Sequence, residues 1–562
     1  MEYKINQTSN DVIESIYNNR GINDDEIDKW LYADSSAWED PSNYPDIDKA
    51  YKLLMKCINE NKPIFVNQDP DCDGVFSAGI LINFILKYLK YEDVYYIIQD
   101  GKRHGLTNKV MDKCLENKPG LLINPDSSSN DIKQMKKLVW EGINVICLDH
   151  HNYSDELINN ENVAIVNNQH ENVKNKYGSG CFVTYKFIFY VAEKEGIDIG
   201  YDYLDCCNVA NIADMMRMNT DNLENRYIYN VASEIPNVKN KLLKSFIKDL
   251  NKKKKLTFED VSYGIAPKIN SIIRIGNEDD KTALVESAIG LTDEEVSYKY
   301  RGQIKTQSIY ESIIRISNRC KSSQKSQIER YIKNGLEVLT KDDDKLIIVN
   351  GGDINPNLRG LLANKLMGEY KKPILILSGN EELRGSARGI GDINFKDMCE
   401  SSNLVTFAQG HISSFGVGLF KENIDKFIAY INKRLLGVDL TNKVEIDYVY
   451  EDGTVPLDDV LDLGAIDDVW CGDCKRPKLL VRNIHINSKD ITKRGIDLSF
   501  KIDNVIYKKE FCSKVFYEKL ICAEENKFNN KDLEIDIICS VKVFENGRAY
   551  ICIEDCESRI IK

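Results

Sequence analysis

Hydrophobic and polar positions change rhythm along the chain. Between about residues 45 and 215, short β-branched runs (KPIFVNQ, VYYIIQD, GLLINPD, NVICLDHH and VAIVNNQ) alternate with stretches of helical period, FSAGILINFILKYLK and NDIKQMKKLVWEG. Strands that alternate with helices predict a parallel, doubly wound α/β sheet. After about residue 440 the pattern turns to alternation, in LLVRNIHINS, IDLSFKIDNVIYKKEF and DLEIDIICSVKVFENGRAYICIEDCESRII, with a hairpin signal at Asn546-Gly547. Several short strands with turns predict a small barrel, on which Tyr507, Phe511, Phe516, Phe544 and Tyr550 are candidates for stacking bases. A chain of 562 residues exceeds a single core. The expected division is an N-terminal helical segment (1–50), the doubly wound domain (51–320), a connecting helix (321–345), a smaller α/β domain (346–438) and the barrel (439–562).

Charge and composition narrow the function. The net charge of −13 argues against a general nucleic-acid coat, but clustered metal-holding carboxylates would themselves contribute to such a total. The basic stretch from Lys239 to Lys255 reads first as a solvated helix face. Sixteen cysteines, scattered singly through apolar runs, read as reduced core thiols. Cys471 and Cys474 have zinc spacing, but no second such pair or nearby histidine completes four ligands. No apolar run is long enough to span a bilayer and the opening MEYKINQTSNDVIES lacks a signal peptide's apolar stretch. The expectation is a cytoplasmic protein with no membrane partner.

Polar clusters follow the predicted strands. PIFV leads into Asn67, Asp69, Asp71 and Asp73; GLLI leads to Asp126; NVICL leads to Asp149-His150-His151; and the apolar VANIA ends at Asp214. In doubly wound sheets function collects beyond the carboxyl ends of the strands, which would bring these groups to one edge. Carboxylates gathered without counter-charge would protonate, so divalent cations are the economical explanation. Mixed Asp and His donors suit manganese, magnesium or iron better than a thiolate zinc site, and a set this large suggests two ions. A lone strand-end aspartate is more often a helix cap, and for Asp126 taken alone that reading would win. The adjacent histidines, two of six in the chain, argue for a joint site.

DHH after a strand, with DPDCDG upstream, resembles the DHH phosphoesterase superfamily. RGSARGIGDINFKDMCESSNLVTFAQGHISSFGVGL resembles its DHHA1 domain, while GIAPKINSIIRIG and NIADMMRMNTDNLENR resemble stretches of the RecJ single-strand exonucleases, as do the opening segment and the order of the C-terminal region. The resemblance implies a metal-dependent single-stranded-DNA exonuclease of 5′ to 3′ polarity, acting in repair, recombination or replication, with a DHH domain, a DHHA1 domain and an OB-like barrel. It implies two Mn2+ ions, with Mg2+ as the alternative, and single-stranded DNA as partner beside a single-strand-binding protein or helicase. Asp71, Asp73, Asp126, His150 and Asp214 would be the catalytic ligands, and Asn67, Asp69, Asp149 and His151 would complete the metal set. Arg274, Ser386, Arg388, Gly410 and His411 would hold the substrate's phosphate. The chain departs from the pattern at Asn67, where the family usually has histidine, at Gln409, where it has glycine, and in NGGDINPNLRG. Two alternatives stay open: a phosphodiesterase of oligonucleotides or cyclic dinucleotides, and an inactive DHH scaffold that binds single strands or replication partners.

Overall fold

The computed structural model describes residues 1–153, 160–391, 393–440, 443–470, 472–522, 531–544 and 546–561, and of Tyr300 only the backbone. The apolar runs form strands β1 (Ile64–Gln68), β2 (Val94–Ile98), β3 (Leu121–Pro125), β4 (Asn144–Asp149) and β5 (Val163–Asn167). They pair in the order β2-β1-β3-β4-β5, every pair parallel. The direction of winding reverses between β1 and β3, so the crevice that such a sheet offers to ligands opens beyond their carboxyl ends. β1, β3 and β5 are buried throughout. Helix α1 (Cys72–Lys87) follows β1 and carries apolar residues on nearly every face, which suits a helix enclosed by others. It packs with α2 (Gly180–Glu195) and α3 (Leu204–Ala213) in one large core.

A second sheet is built from β6 (Ile347–Asn350), β7 (Ile374–Ser378), β8 (Glu382–Arg388), β9 (Val405–His411) and β10 (Ser414–Phe420). Its order is β9-β10-β8-β7-β6, with only β6 and β7 parallel. The helix connecting the two regions runs over Ile309–Lys333, starting and ending earlier than its sequence suggests; its first half enters the core of the first sheet and Ile328 enters that of the second.

The C-terminal alternating strands form one mixed seven-stranded sheet with outer strands Tyr448–Tyr450 and Thr492–Arg494. Among the described residues these two are not paired with each other, so the pairing does not close a barrel. The hairpin expected at Asn546-Gly547 joins antiparallel strands Asp532–Val543 and Ala549–Ile560. Of the stacking candidates, Tyr507 is buried against Phe500, Tyr550 is buried beneath Phe544 at 4.1 Å, Phe516 is partly buried, and Phe511 is 79% exposed.

The N-terminal segment does not stand apart. Val12, Ile16 and Trp30 lie in the core of the C-terminal sheet, and Tyr3–Ile5 pairs in parallel with Val444–Ile446. Lysines of the basic stretch meet acids, Lys241 with Asp293, Lys248 with Glu311 and Lys255 with Asp468, as a solvated face would. No disulfide joins the described cysteines, and all but Cys522 are buried; Cys471 of the CxxC pair lies outside the described residues. No described helix is long and apolar enough to cross a membrane.

Candidate metal centre and the cleft that faces it

The three aspartates after β1 have different surroundings. Asp71 caps α1, its Oδ1 accepting from the Gly74 amide at 3.0 Å. Asp73, in the first turn, accepts from the Gly180 and Cys181 amides at the start of α2, at 2.7 and 2.8 Å. Asp69 is buried, with Oδ2 2.6 Å from His104 Nδ1 and Oδ1 without a hydrogen bond. Two glycines permit this crowding. A Cβ at Gly74 would run into the Asp69 carbonyl, and one at Gly180 into the Asp126 side chain.

Asp126 follows β3 with a left-handed backbone, φ +65°, a conformation that aspartate tolerates better than most residues. Its Oδ1 has no hydrogen-bond donor and lies 3.2 Å from His150 Nε2. The same nitrogen is 3.6 Å from Asp214 Oδ2 and 4.0 Å from Asp73 Oδ2. Three overlapping sets have ligand atoms within 4.8 Å of one another: Asp69, Asp71 and Asp126; Asp73, His150 and Asp214; and Asp126, His150 and His151. Four widely separated segments of the chain thus converge at one edge of the parallel sheet.

Two residues of the expected ligand set sit differently. Asp149 spends its oxygens within the protein, accepting from the Ser129 amide at 3.0 Å, from the His150 and His151 amides and from His151 Nδ1 at 2.8 Å. It orients His151 where a metal ligand was expected. Asn67 is wholly buried: its Oδ1 accepts from Gln99 at 2.8 Å, and its Nδ2 donates to Asn124 Oδ1 and the Gly105 carbonyl. Both ends of that amide are engaged.

The electrostatics carry a single message. Burial, then mutual repulsion, pushes Asp126 and Asp214 well above the usual carboxylate range and Asp73 up to about 6; burial raises Asp69 as well. Burial, then the neighbouring His151, pushes His150 down to about 3. Burial alone would raise Asp149, but the His151 imidazole against it holds that carboxyl well below its ordinary value. Orphaned buried oxygens on Asp69 and Asp126, the latter beside the neutral His150 imidazole, are a donor set into which divalent cations fit.

Cations stand near this cluster, Lys102 and Arg274 on the first sheet's own unit and Arg388 on the second sheet. Arg274 and Arg388 are close enough to repel, and Asp71 attracts Arg274; burial is the leading reason that Arg274 falls to about 10. Arg274 Nε has no hydrogen-bond partner. Lys102 makes no ion pair or hydrogen bond among the described residues, and its surroundings, then Arg274 and Arg388, push it down to about 8. Ser386 and Arg388 lie on β8; Gly410 and His411 end β9, and the His151 charge acts on His411, so this end of the second sheet lies near the Asp–His cluster of the first. Sequence reasoning missed Lys102 and His104. The signal was available, because VYYIIQD is a strand of the same sheet and DGKRHG follows its carboxyl end.

Residues 63–210 match the family described as the DHH family's N-terminal domain. That stretch is similar to a DHH domain. Outside it the likeness continues. The chain is 29% identical over 588 residues, spanning 100% of itself and 99% of the relative, to a putative SPbeta prophage-derived single-strand DNA-specific exonuclease, YorK, of Bacillus subtilis. It is 23% identical over 493 residues to the RecJ single-stranded-DNA-specific exonuclease of Bacillus subtilis, covering 83% of this chain and 57% of that one. Among solved structures, RecJ of Thermus thermophilus in complex with Mn2+ superposes with a TM-score of 0.70 over 98% of this chain and 76% of that chain, at 16% identity. The likeness to the solved RecJ structure is therefore one of overall fold.

Proposed function

We propose that this chain is a metal-dependent exonuclease that hydrolyses phosphodiester bonds of single-stranded DNA to mononucleotides, with 5′ to 3′ polarity. The observation that carries it is the apposition of the buried Asp–His cluster with three cations, Lys102, Arg274 and Arg388, near Asp71. A site that held metals but bound no polyanion would not need cations in that place. The YorK and RecJ likenesses support the choice of single-stranded DNA over a cyclic dinucleotide, and the six aspartates and two histidines, all present, support an active site over an inert scaffold.

Divalent cations, manganese or magnesium, when bound would polarise the scissile phosphate and make hydroxide available near neutral pH. Asp69, Asp71, Asp73, Asp126, His150, His151 and Asp214 would hold them. Lys102, Arg274 and Arg388 would bind the phosphate and balance the charge that grows on it in the transition state. Ser386, Gly410 and His411 would line the same side of the cleft. Asp73, held by the amides of α2, and Asp149, braced against His151, keep the cluster from collapsing on itself. In this reading the C-terminal sheet serves as an OB-like surface for the outgoing strand, with Phe511 and Phe544 as stacking faces. Recruitment by a single-strand-binding protein or a helicase is the corresponding expectation for partners.

Release of mononucleotides from labelled single-stranded DNA tests the reading, beside duplex DNA and a cyclic dinucleotide. Activity is expected with added Mn2+ or Mg2+, to vanish in EDTA, and to be confined to the single strand. EDTA should also lower the melting temperature, because ions held only by the folded state stabilise it. Preference for the cyclic dinucleotide, or full activity after chelation, would refute the proposal.

A further inference from the structure

His104 has no role in the reading above, yet it makes the shortest described contact to a carboxylate of the Asp–His cluster from outside it. Its Nδ1 lies 2.6 Å from Asp69 Oδ2, a distance typical of a charge-assisted hydrogen bond. Asp69 is one of the three carboxylates whose ligand atoms fall within 4.8 Å of one another, and its other oxygen is buried with no hydrogen-bond partner. One oxygen is thus tied down and the other is left over. A buried carboxylate with an untethered rotamer would lose entropy on binding a cation; one fixed in advance would not.

The loop bearing His104 is itself fixed from beneath. The Gly105 carbonyl accepts from Gln99 Nε2 at 2.7 Å and from Asn67 Nδ2 at 3.3 Å. Gln99 Nε2 also reaches Asn67 Oδ1, and Gln99 Oε1 accepts from the Thr107 hydroxyl at 2.8 Å. The Leu106 amide donates to Asp131 at 2.7 Å, and Gly105 has φ +74°, with no room for a Cβ beside that carboxylate. Asn67, Gln99 and Asn124 form a buried amide network whose output is the position of residue 105. The ring of His104, by contrast, is more than half exposed toward the cleft.

We infer that His104 is a positioning residue for metal binding: the Asn67–Gln99 network holds Gly105, Gly105 presents the His104 ring, and its Nδ1–H holds Asp69 for the cation. The inference rests on the metal-centre reading of the cluster. It also gives Asn67 a task in the second layer of the site, where outer partners typically change affinity by about 10–100-fold.

The test is Mn2+ binding to the full chain, stripped with chelator and followed by the electron paramagnetic resonance signal of free Mn2+. Far-UV circular dichroism and melting in excess EDTA serve as fold controls. His104→Ala should weaken one class of Mn2+ site by about tenfold or more, with the circular dichroism unchanged and EDTA-state melting lowered only modestly, since the ring is exposed but its loss leaves the buried Asp69 without a donor. His104→Asn, whose amide nitrogen can replace Nδ1 as a donor, should recover most of that affinity. Single-strand cleavage by His104→Ala should return toward the wild-type rate as Mn2+ is raised. A His104→Ala isotherm that superimposes on wild type, or a His104→Asn variant no better than His104→Ala, overturns the inference. Wild type that takes up no Mn2+ at all would overturn the metal centre itself, and the inference with it.

Discussion

At the scale of single residues, the cluster separates groups that look equivalent in sequence. Asp126 and Asp149 both end a strand, but Asp126 keeps an oxygen without a donor while Asp149 is saturated. Asp126→Ala and Asp214→Ala should cut turnover by orders of magnitude with the fold retained, as activity and melting curves of each variant would report. If Asp126 were only a cap, its loss would cost about 1 kcal/mol of stability and leave turnover nearly intact. Lys102 permits a prediction in pH. Its ammonium is pushed down to about 8, so it is charged below that pH and loses its proton as the pH rises through it. Attraction for phosphate should fall in the same direction, so KM for single-stranded DNA is expected to climb above about pH 8. Lys102→Arg, whose guanidinium stays protonated, should flatten that limb of the profile.

Between elements, helix N-termini and strand ends do the positioning. The start of α2 must come close enough for its amides to reach Asp73, and Gly180 makes that approach possible beside Asp126. Gly180→Ala should therefore lower stability by roughly 1–3 kcal/mol through overpacking and reduce turnover together with it. A denaturant titration run beside an activity assay would separate this from a purely local effect. Much of the doubly wound sheet was legible because β1, β3 and β5 are buried on both faces and so read as unbroken apolar runs. Asp214 was legible for the same reason, at the end of the apolar VANIA. For His104 and Lys102 the strand before them was legible and placed their loop at the same edge, but the loop has no periodicity to mark where the side chains point. Asn67 misled in the other direction. A polar residue at a strand end beside three aspartates suggests a ligand, and only the spatial neighbours Gln99 and Asn124 reveal its engaged amide.

Over the whole molecule, the C-terminal unit is fastened to the edge that carries the Asp–His cluster. Trp30 packs against Trp470 and donates to the Met218 carbonyl at 3.0 Å, and the Met218 amide donates to Asp473 at 3.0 Å. Met218 lies in the segment that follows Asp214, so removing residues after about 440 should disturb a ligand of the centre as well as the strand-binding surface. Hydrolysis of short and long single strands is expected to fall together, and the truncated chain should bind a hydrophobic dye through the uncovered Val12, Ile16 and Trp30. Removal of residues 1–31 as well should reduce the dye signal without restoring cleavage. None of this was visible in the sequence, because helical residues 12–31 have an ordinary amphipathic pattern that names no partner.

The pairing of residues 3–15 with residues 444–447 also bears on how the protein is made. Ser15 donates to the Asp447 carbonyl across 432 residues, and Tyr3–Ile5 waits for Val444–Ile446 to complete a ladder. At roughly 5–20 residues per second, a ribosome would need roughly 20–90 s to deliver the second half of that contact after the first has emerged. For that interval the apolar side of the first two helices is bare while the parallel sheet is already free to fold. Newly synthesised chains should therefore pass through a stage in which chaperones engage the extreme N-terminus, and ribosome-bound chains halted before residue 440 should be captured there more strongly than released full-length protein.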